Sequence, residues 1–242
     1  MDKYYVNYIF DLYGTLVNIR TDERSPIFWR RMAELYARCG ADYTPAGLHE
    51  SYLRLCREET ELLRERRGCE HPEIELAGVF WRLYDEAPRR HPAAYAPKEE
   101  ERALWTAMIG SSFRSYSLWK LRLYPGVKRT LDALRARGCG VYLLSNAQRM
   151  FTLPELERLG IADAFDAVYI SSDYGVAKPD AAFLEALLSE QGLRREDCLF
   201  VGNDPATDLE IAARCGMDAV LLDNYGLARP GDRVIHRIEE LL

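Results

Sequence analysis

The chain has 242 residues, of which 48% are hydrophobic and 29% are charged, so it can bury a substantial core and is not disordered. Its formal net charge of −6 argues against nucleic-acid binding, because contacts with a phosphate backbone need clustered positive charge. No apolar run reaches the roughly eighteen residues that a membrane span needs, so no membrane partner is expected.

The cysteines and the N-terminal residues favour a cytoplasmic protein. The six cysteines are scattered and include no C-x-x-C pair, which is typical of reduced thiols. The first ten residues lack a basic region followed by a long apolar stretch and a small-residue cleavage site, so they do not resemble a secretory signal.

The first predicted strand covers residues 4–10 and ends at Asp11, where Gly14 and Thr15 break the pattern. From about residue 21 to residue 116 the sequence has a helical period, many Arg and Glu residues, and no strand pattern. Helices are predicted in this part over residues 26–39, 45–67, 73–85 and 97–116. We therefore expect an all-helical insert.

Strands and helices alternate from residue 124 onward. The predicted order is helix 126–137, strand 140–145, helix 153–159, strand 167–171, helix 180–191, strand 198–202, helix 206–215, strand 219–223, strand 233–236 and a helix from residue 238. Such alternation predicts right-handed βαβ units and hence an α/β fold with a parallel sheet flanked by helices. We expect residues 1–16 and 124–242 to form this core domain, and residues 17–123 to form an inserted helical domain over the active end of the sheet.

Polar side chains occur at the carboxyl ends of the predicted strands. Asp11 follows the first strand, Ser145 ends the second and Asn146 follows it, and Asp204 follows strand 198–202. The carboxyl ends of strands in an open α/β sheet are where ligands bind. Together with Lys178, these carboxylates, hydroxyls and amides predict a site for an anion and a hard cation.

Four segments, in this order and at this spacing, resemble the motifs of the haloacid dehalogenase-like (HAD) hydrolase superfamily, in its branch with a helical C1 cap. The segments are residues 10–16 (FDLYGTL), 143–146 (LLSN), 171–179 (SSDYGVAKP) and 201–208 (VGNDPATD). The resemblance implies a Rossmann-like core domain, a helical cap domain and a hydrolase activity.

A magnesium ion fits the predicted carboxylates. Mg²⁺ takes oxygen ligands, usually one or two carboxylates together with waters and a substrate oxygen. Asp11, the backbone carbonyl of Tyr13 and Asp204 would supply that set, with Asn203 and Asp208 as direct ligands or supporting residues. Asp208 could also serve only to brace the helix that follows it.

The remaining residues suit attack on a phosphate monoester. A dianionic phosphate repels the Asp11 carboxylate, and Lys178 can neutralise part of the developing charge. Ser145 and the backbone N–H of Asn146 can hold phosphoryl oxygens, and Thr15 is either a further substrate contact or only a turn hydroxyl. The resemblance implies an aspartyl-phosphate on Asp11 that water clears, with a small phosphorylated metabolite as the substrate.

Tyr13 departs from the phosphatase pattern. Phosphatases of this superfamily usually carry a second Asp two residues after the nucleophile, as the acid for the leaving alcohol. Tyrosine there is similar to the 2-haloacid dehalogenases, whose halide leaves without a proton. The acidic residues at 203–208 favour the metal-dependent enzyme, since carboxylates buried opposite Asp11 without a cation are costly. We predict a Mg²⁺-dependent phosphatase; the alternatives are a 2-haloacid dehalogenase-like hydrolase and a catalytically weak relative that acts as a binding protein.

Overall fold

The computed structural model describes residues 4–242 and contains a six-stranded sheet in which every neighbouring pair is parallel. The strand order is β5-β4-β1-β6-β7-β8. The strands are β1 (Asn7–Phe10), β4 (Gly140–Ser145), β5 (Ala167–Ile170), β6 (Cys198–Gly202), β7 (Asp218–Leu222) and β8 (Val234–Ile235). Phe10 at the end of β1 pairs with Leu143 and Val201, so the loops after these three central strands start at the same edge. The predicted α/β class is confirmed.

Both faces of the sheet are covered by helices and buried apolar side chains. The helices of this part are α5 (Val127–Ala136), α6 (Arg149–Leu159), α7 (Ser171–Tyr174), α8 (Ala181–Glu190) and α9 (Glu210–Arg214). Side chains of β1 alternate between the two faces. Tyr8 and Phe10 share a cluster with Leu131 of α5, whereas Ile9 shares another with Leu184 of α8. Parallel sheets are typically buried on both faces in this way.

The insert contains four helices around an aromatic core. They are α1 (Pro26–Arg38), α2 (Pro45–Arg67), α3 (Leu76–Asp85) and α4 (Arg102–Ser117). Helices α1 and α2 each begin with a proline, preceded by Ser25 and Thr44, whose side-chain oxygens accept backbone N–H bonds of the first turn. The ring of Phe113 lies 4.9 Å from that of Phe28 and 5.3 Å from that of Phe80. None of the helices between residues 4 and 242 is long and apolar enough to cross a membrane.

The chain divides into two compact units whose limits differ slightly from the predicted ones. The helical unit comprises residues 20–68 and 74–120, and the sheet unit comprises the other described residues. The five residues Cys69–Glu73, which we call the strap, belong to the sheet unit although they lie inside the predicted cap. This interruption of the helical unit was not predicted from the sequence.

Two strands also occur within the range that was expected to be all helical. Strands β2 (Val17–Thr21) and β3 (Leu118–Leu123) form a separate two-stranded sheet. Each is too short to give a clear alternating pattern, and β3 carries the exposed Trp119 on a strand with no fully buried residue. Elsewhere the differences are in the bounds: the helix expected at 73–85 begins at Leu76, and the one expected at 206–215 begins as a π-helical turn, Pro205–Leu209.

Candidate active site

Loops from several elements bring the predicted site residues to one edge of the sheet. Asp11, Tyr13 and Thr15 follow β1, Ser145 and Asn146 lie at the end of β4, and Asn203, Asp204 and Asp208 follow β6. Lys178 lies between α7 and α8. Most of these side chains contact one another directly, as described below.

Lys178 forms the centre of a buried charge cluster. Its Nζ lies 2.7 Å from Asp11 Oδ1 and 2.7 Å from Asp208 Oδ1, and it also donates to the Leu144 carbonyl at 3.1 Å. Burial by itself lowers the pKa of the Lys178 ammonium, but the charges of the two carboxylates outweigh burial and raise the pKa overall. The lysine therefore stays charged, and its single positive charge is shared between two negative ones.

Asn146 fixes the backbone of Lys178. The Asn146 side-chain Oδ1 accepts from the Lys178 backbone N–H at 2.8 Å, and its Nδ2 donates to the Lys178 carbonyl at 3.0 Å. Only the backbone N–H of Asn146 was predicted to take part in the site. Its side chain thus has a positioning role that the sequence pattern did not reveal.

The Asp11 carboxylate is buried, and burial is the main reason why its pKa is raised to about 6. The charge of Lys178 lowers this pKa and the charge of Asp208 raises it. Thr15 Oγ1 donates to Asp11 Oδ2 at 2.8 Å, so the hydroxyl predicted as a substrate contact holds the Asp11 carboxylate. Asp11 is consequently a more basic carboxylate than one in water.

Asp208 shapes the loop that follows β6. Its Oδ2 accepts from the backbone N–H groups of Asn203 at 2.9 Å and Asp204 at 3.0 Å. A Cβ on Gly202 would lie 2.3 Å from Asp208 Cβ, so only glycine permits this close approach. The Asp204 carboxylate caps its own turn instead, since its Oδ1 accepts from Ala206 N–H at 2.8 Å.

Asn203 contacts the residues of the first motif. One terminal atom of the Asn203 amide lies 3.0 Å from Thr15 Oγ1, 3.2 Å from the Tyr13 carbonyl oxygen and 3.3 Å from Asp11 Oδ2. Gly14 allows this approach: its φ is +93°, and a Cβ there would lie 2.6 Å from the Asn203 amide. A carboxylate, a backbone carbonyl and an amide thus converge on one point.

This donor set suits a hard cation. Among residues 4–242 no three His, Cys, Asp or Glu side chains are grouped as metal ligands. Mg²⁺, however, is commonly held by only one or two carboxylates together with waters and substrate phosphate oxygens. Asp11 Oδ2, the Tyr13 carbonyl and the Asn203 amide oxygen are ligands of that kind, so the residues present fit the ion.

Ser145 carries a buried hydroxyl that lacks a protein partner. The residue is fully buried, and its Oγ makes no hydrogen bond with any residue between 4 and 242. A buried polar group without a partner costs about 1–3 kcal/mol, so native proteins rarely keep one without a purpose. A ligand oxygen at this place would satisfy the hydroxyl, as expected for a phosphoryl contact.

The Tyr13 side chain turns towards helix α6. Its hydroxyl donates to Glu155 Oε2 at 2.5 Å and also lies 3.3 Å from Thr152 Oγ1, and both neighbours are buried. Glu155 is not among the predicted site residues, because nothing in its local sequence distinguishes it from a surface glutamate of a helix. The contact directs the phenolic proton to a carboxylate of the sheet unit.

The strap adds a further carboxylate, that of the half-buried Glu73. Glu73 accepts from Gln148 Nε2 at 3.1 Å and from Ser171 Oγ at 3.1 Å, next to the loops that carry Ser145 and Lys178. Burial raises the pKa of Glu73, and the two hydrogen bonds only partly oppose the shift. The strap is also joined to the Lys178 loop, since Ala177 N–H donates to the His71 carbonyl at 2.8 Å.

Comparison with known proteins defines the class of this fold and site. A model of the haloacid dehalogenase-like hydrolases matches residues 7–216, and the chain belongs to that family. It is 39% identical over 110 residues to a phosphoglycolate phosphatase of Yersinia pseudotuberculosis, covering 44% of this chain and 47% of the relative. It is 30% identical over 115 residues to a ribulose-1,5-bisphosphate 5-phosphatase of Halopiger xanaduensis, covering 48% of each. The chain thus spans about half the length of these curated relatives.

Solved structures show the same fold over the whole chain. A 2-haloacid dehalogenase from Pseudomonas syringae superposes with a TM-score of 0.64 at 22% identity, covering 98% of this chain and 96% of that one. At this identity the likeness concerns the fold alone. The family membership and the fold agree with the resemblance seen in the four motifs.

Proposed function

We propose that the protein is a Mg²⁺-dependent phosphatase that hydrolyses small phosphate monoesters, with Asp11 as the nucleophile. The observation that carries this proposal is the charge of the buried cluster. Asp11 and Asp208 share one ammonium, Lys178, which leaves one negative charge in the site. A phosphate dianion would be repelled by that charge, so a divalent cation is needed for binding.

Three oxygen ligands would hold the ion: Asp11 Oδ2, the Tyr13 carbonyl and Asn203 Oδ1. When bound, Mg²⁺ would supply the positive charge that draws phosphoryl oxygens towards Asp11. Asp204 was the expected side-chain ligand, but the Asn203 amide lies 3.2 Å from the Tyr13 carbonyl oxygen and 3.3 Å from Asp11 Oδ2, and we therefore assign that role to Asn203.

The protein's own residues would carry out the covalent step and stabilise the phosphoryl group. An oxygen of Asp11 attacks phosphorus, the bond from phosphorus to the ester oxygen breaks, and an aspartyl-phosphate forms; water then hydrolyses it to release phosphate and regenerate the carboxylate. Lys178 Nζ, 2.7 Å from Asp11 Oδ1, offsets charge that develops on the phosphoryl group. Ser145 Oγ and the Asn146 N–H would donate to phosphoryl oxygens.

The rest of the proposal concerns substrate and setting. We assign substrate selection to the helical unit, residues 20–68 and 74–120, which would act as the cap. The substrate would be a small phosphorylated metabolite, in keeping with the phosphatase names of the relatives. A cytoplasmic location is supported by the six cysteines, all of which are free thiols.

A second candidate, a 2-haloacid dehalogenase-like hydrolase, is favoured by one observation. The Tyr13 hydroxyl donates to Glu155, so the side chain at the usual place of the acid is not directed at a leaving group. A positioned acid raises the rate by about 10²–10⁴-fold when the leaving group is an alcohol, whereas a halide leaves without being protonated.

The test is a comparison of leaving groups with purified protein. Phosphate release from p-nitrophenyl phosphate and from an alkyl phosphate, and chloride release from 2-chloropropionate, are measured with Mg²⁺ and with EDTA. The phosphatase predicts Mg²⁺-dependent release from the aryl ester, with the alkyl ester much slower because its alkoxide needs a proton. Chloride release at the same rate with Mg²⁺ and with EDTA would instead establish the dehalogenase. No turnover of any of the three compounds would indicate a non-catalytic relative. Asp11→Asn is the control for contaminating activity.

A further inference from the structure

The Asn203 amide is placed to act differently with and without a cation. The amide oxygen and nitrogen are nearly the same size, so half a turn of the amide exchanges them without moving the backbone. The terminal atom near Thr15, Tyr13 and Asp11 can thus be either a donor or an acceptor.

Hydrogen-bond counting favours the nitrogen when no cation is bound. With Nδ2 at the shared point, the amide donates to the Tyr13 carbonyl and to Asp11 Oδ2. Thr15 then gives its single proton to Asp11, and its oxygen lies 3.0 Å from a nitrogen instead of from a second acceptor. With Oδ1 there instead, oxygen would face the carbonyl and carboxylate oxygens, and only Thr15 could donate to it.

A bound cation reverses the preference. It would need oxygen atoms around it, and the N–H groups of Nδ2 would point at a positive charge. We infer that the Asn203 amide turns over when Mg²⁺ binds: Nδ2 holds Asp11 and the Tyr13 carbonyl together in the metal-free protein, and Oδ1 faces the ion in the loaded protein. This inference rests on the proposed Mg²⁺ dependence.

The neutral amide has a consequence for affinity and stability. A carboxylate at position 203 would attract Mg²⁺ more strongly, because affinity rises with the number of charged ligands. Without metal, however, it would lie about as close to Asp11 Oδ2 as the 3.3 Å now seen, adding a third negative charge beside one ammonium. The asparagine gives weaker binding and a site that remains hydrogen-bonded when empty.

Calorimetry and thermal unfolding test how residue 203 affects the affinity for Mg²⁺ and the stability of the metal-free protein. Asn203→Asp is expected to lower the Kd for Mg²⁺ by about tenfold or more, and to lower the Tm in EDTA relative to wild type. Asp204→Asn is the matched control, since its neighbouring carboxylate caps a turn, and it should leave the Kd unchanged. A larger change in the Kd for Mg²⁺ in Asp204→Asn than in Asn203→Asp would overturn the inference.

The rotation itself is read by ¹⁵N NMR of the asparagine side chains. The Asn203 signals are assigned by their absence from Asn203→Asp prepared with Mg²⁺. In wild-type protein with EDTA its NH₂ protons should exchange slowly with solvent, and Mg²⁺ should shift them and speed their exchange. Binding by calorimetry with unchanged Asn203 signals would refute the rotation alone, whereas no binding by wild-type protein would refute the proposed metal dependence and the rotation together.

Discussion

Replacing Lys178 by methionine removes the one ammonium among residues 4–242 that contacts the buried carboxylates of Asp11 and Asp208. Breaking a buried ion pair by removing one partner costs about 3–5 kcal/mol. For a chain of this size that corresponds to a fall in Tm of roughly 6–20 °C, at about 2–4 °C per kcal/mol. The folded variant can relieve the repulsion by protonating Asp11, whose pKa is already about 6 in the presence of the lysine.

The loss of stability should therefore depend on pH. Without Lys178 the pKa of Asp11 rises further above its unfolded value, so the folded state binds the extra proton, and the free energy of unfolding of the variant falls as pH increases. The defect should be full near pH 8 and much smaller near pH 5, roughly one unit below the wild-type Asp11 pKa of about 6. The double variant with Asp208→Asn should recover part of the loss at pH 8.

Urea unfolding at several pH values measures this effect. Far-UV circular dichroism and hydrogen exchange of β4 and β6 are the suitable probes. All four tryptophans lie in the helical unit, at positions 29, 81, 105 and 119, and would not report on the sheet unit directly. Lys128→Met is the control, because Lys128 is exposed and 3.8 Å from Asp132. A Lys178→Met protein as stable as wild type at pH 8 would refute the charge balance described here.

Three further outcomes are expected. Asp11→Asn should abolish turnover while leaving the circular dichroism spectrum unchanged; clear residual activity would reject a covalent step on Asp11. Ser145→Ala should reduce phosphate release and leave stability unchanged or higher, because the lost hydroxyl has no protein partner, and a large drop in Tm would contradict this. Glu73→Gln should flatten the pH dependence of stability: with its pKa raised by burial, wild-type Glu73 favours the folded state at low pH, and this contribution is lost as pH rises through its folded pKa. Parallel pH profiles of the two proteins would disprove that account.

The parallel sheet and most of the charge cluster could be predicted from the sequence. Three apolar runs become the central strands, and at their ends lie Asp11, Ser145 and the 203–208 segment. Because adjacent parallel strands end at the same edge of the sheet, these residues come close together. Lys178 lies on no strand, but its place in the motif order located it correctly beside Asp11.

The contacts that could not be predicted join residues far apart in the chain. Tyr13 and Glu155 are 142 positions apart, and Glu73 and Ser171 are 98 apart, so no local spacing links them. The ligand assignment after β6 depended on a finer detail. Asn203 and Asp204 are adjacent in the chain, but the Asn203 amide lies beside Thr15 of the first motif, whereas an Asp204 oxygen accepts from Ala206 N–H.

The strap limits how far the two units are separable as evolutionary modules. Because residues 69–73 belong to the sheet unit, the chain passes between the units four times rather than the two expected of a simple insertion. Joining residue 19 directly to residue 121 would remove the acceptors that Gln148, Ser171 and Ala177 now use. A helical unit exchanged between relatives would carry its own strap sequence with it. The helices on either side of the strap and the loops around Lys178 would then change together, which ties the inheritance of one to that of the other.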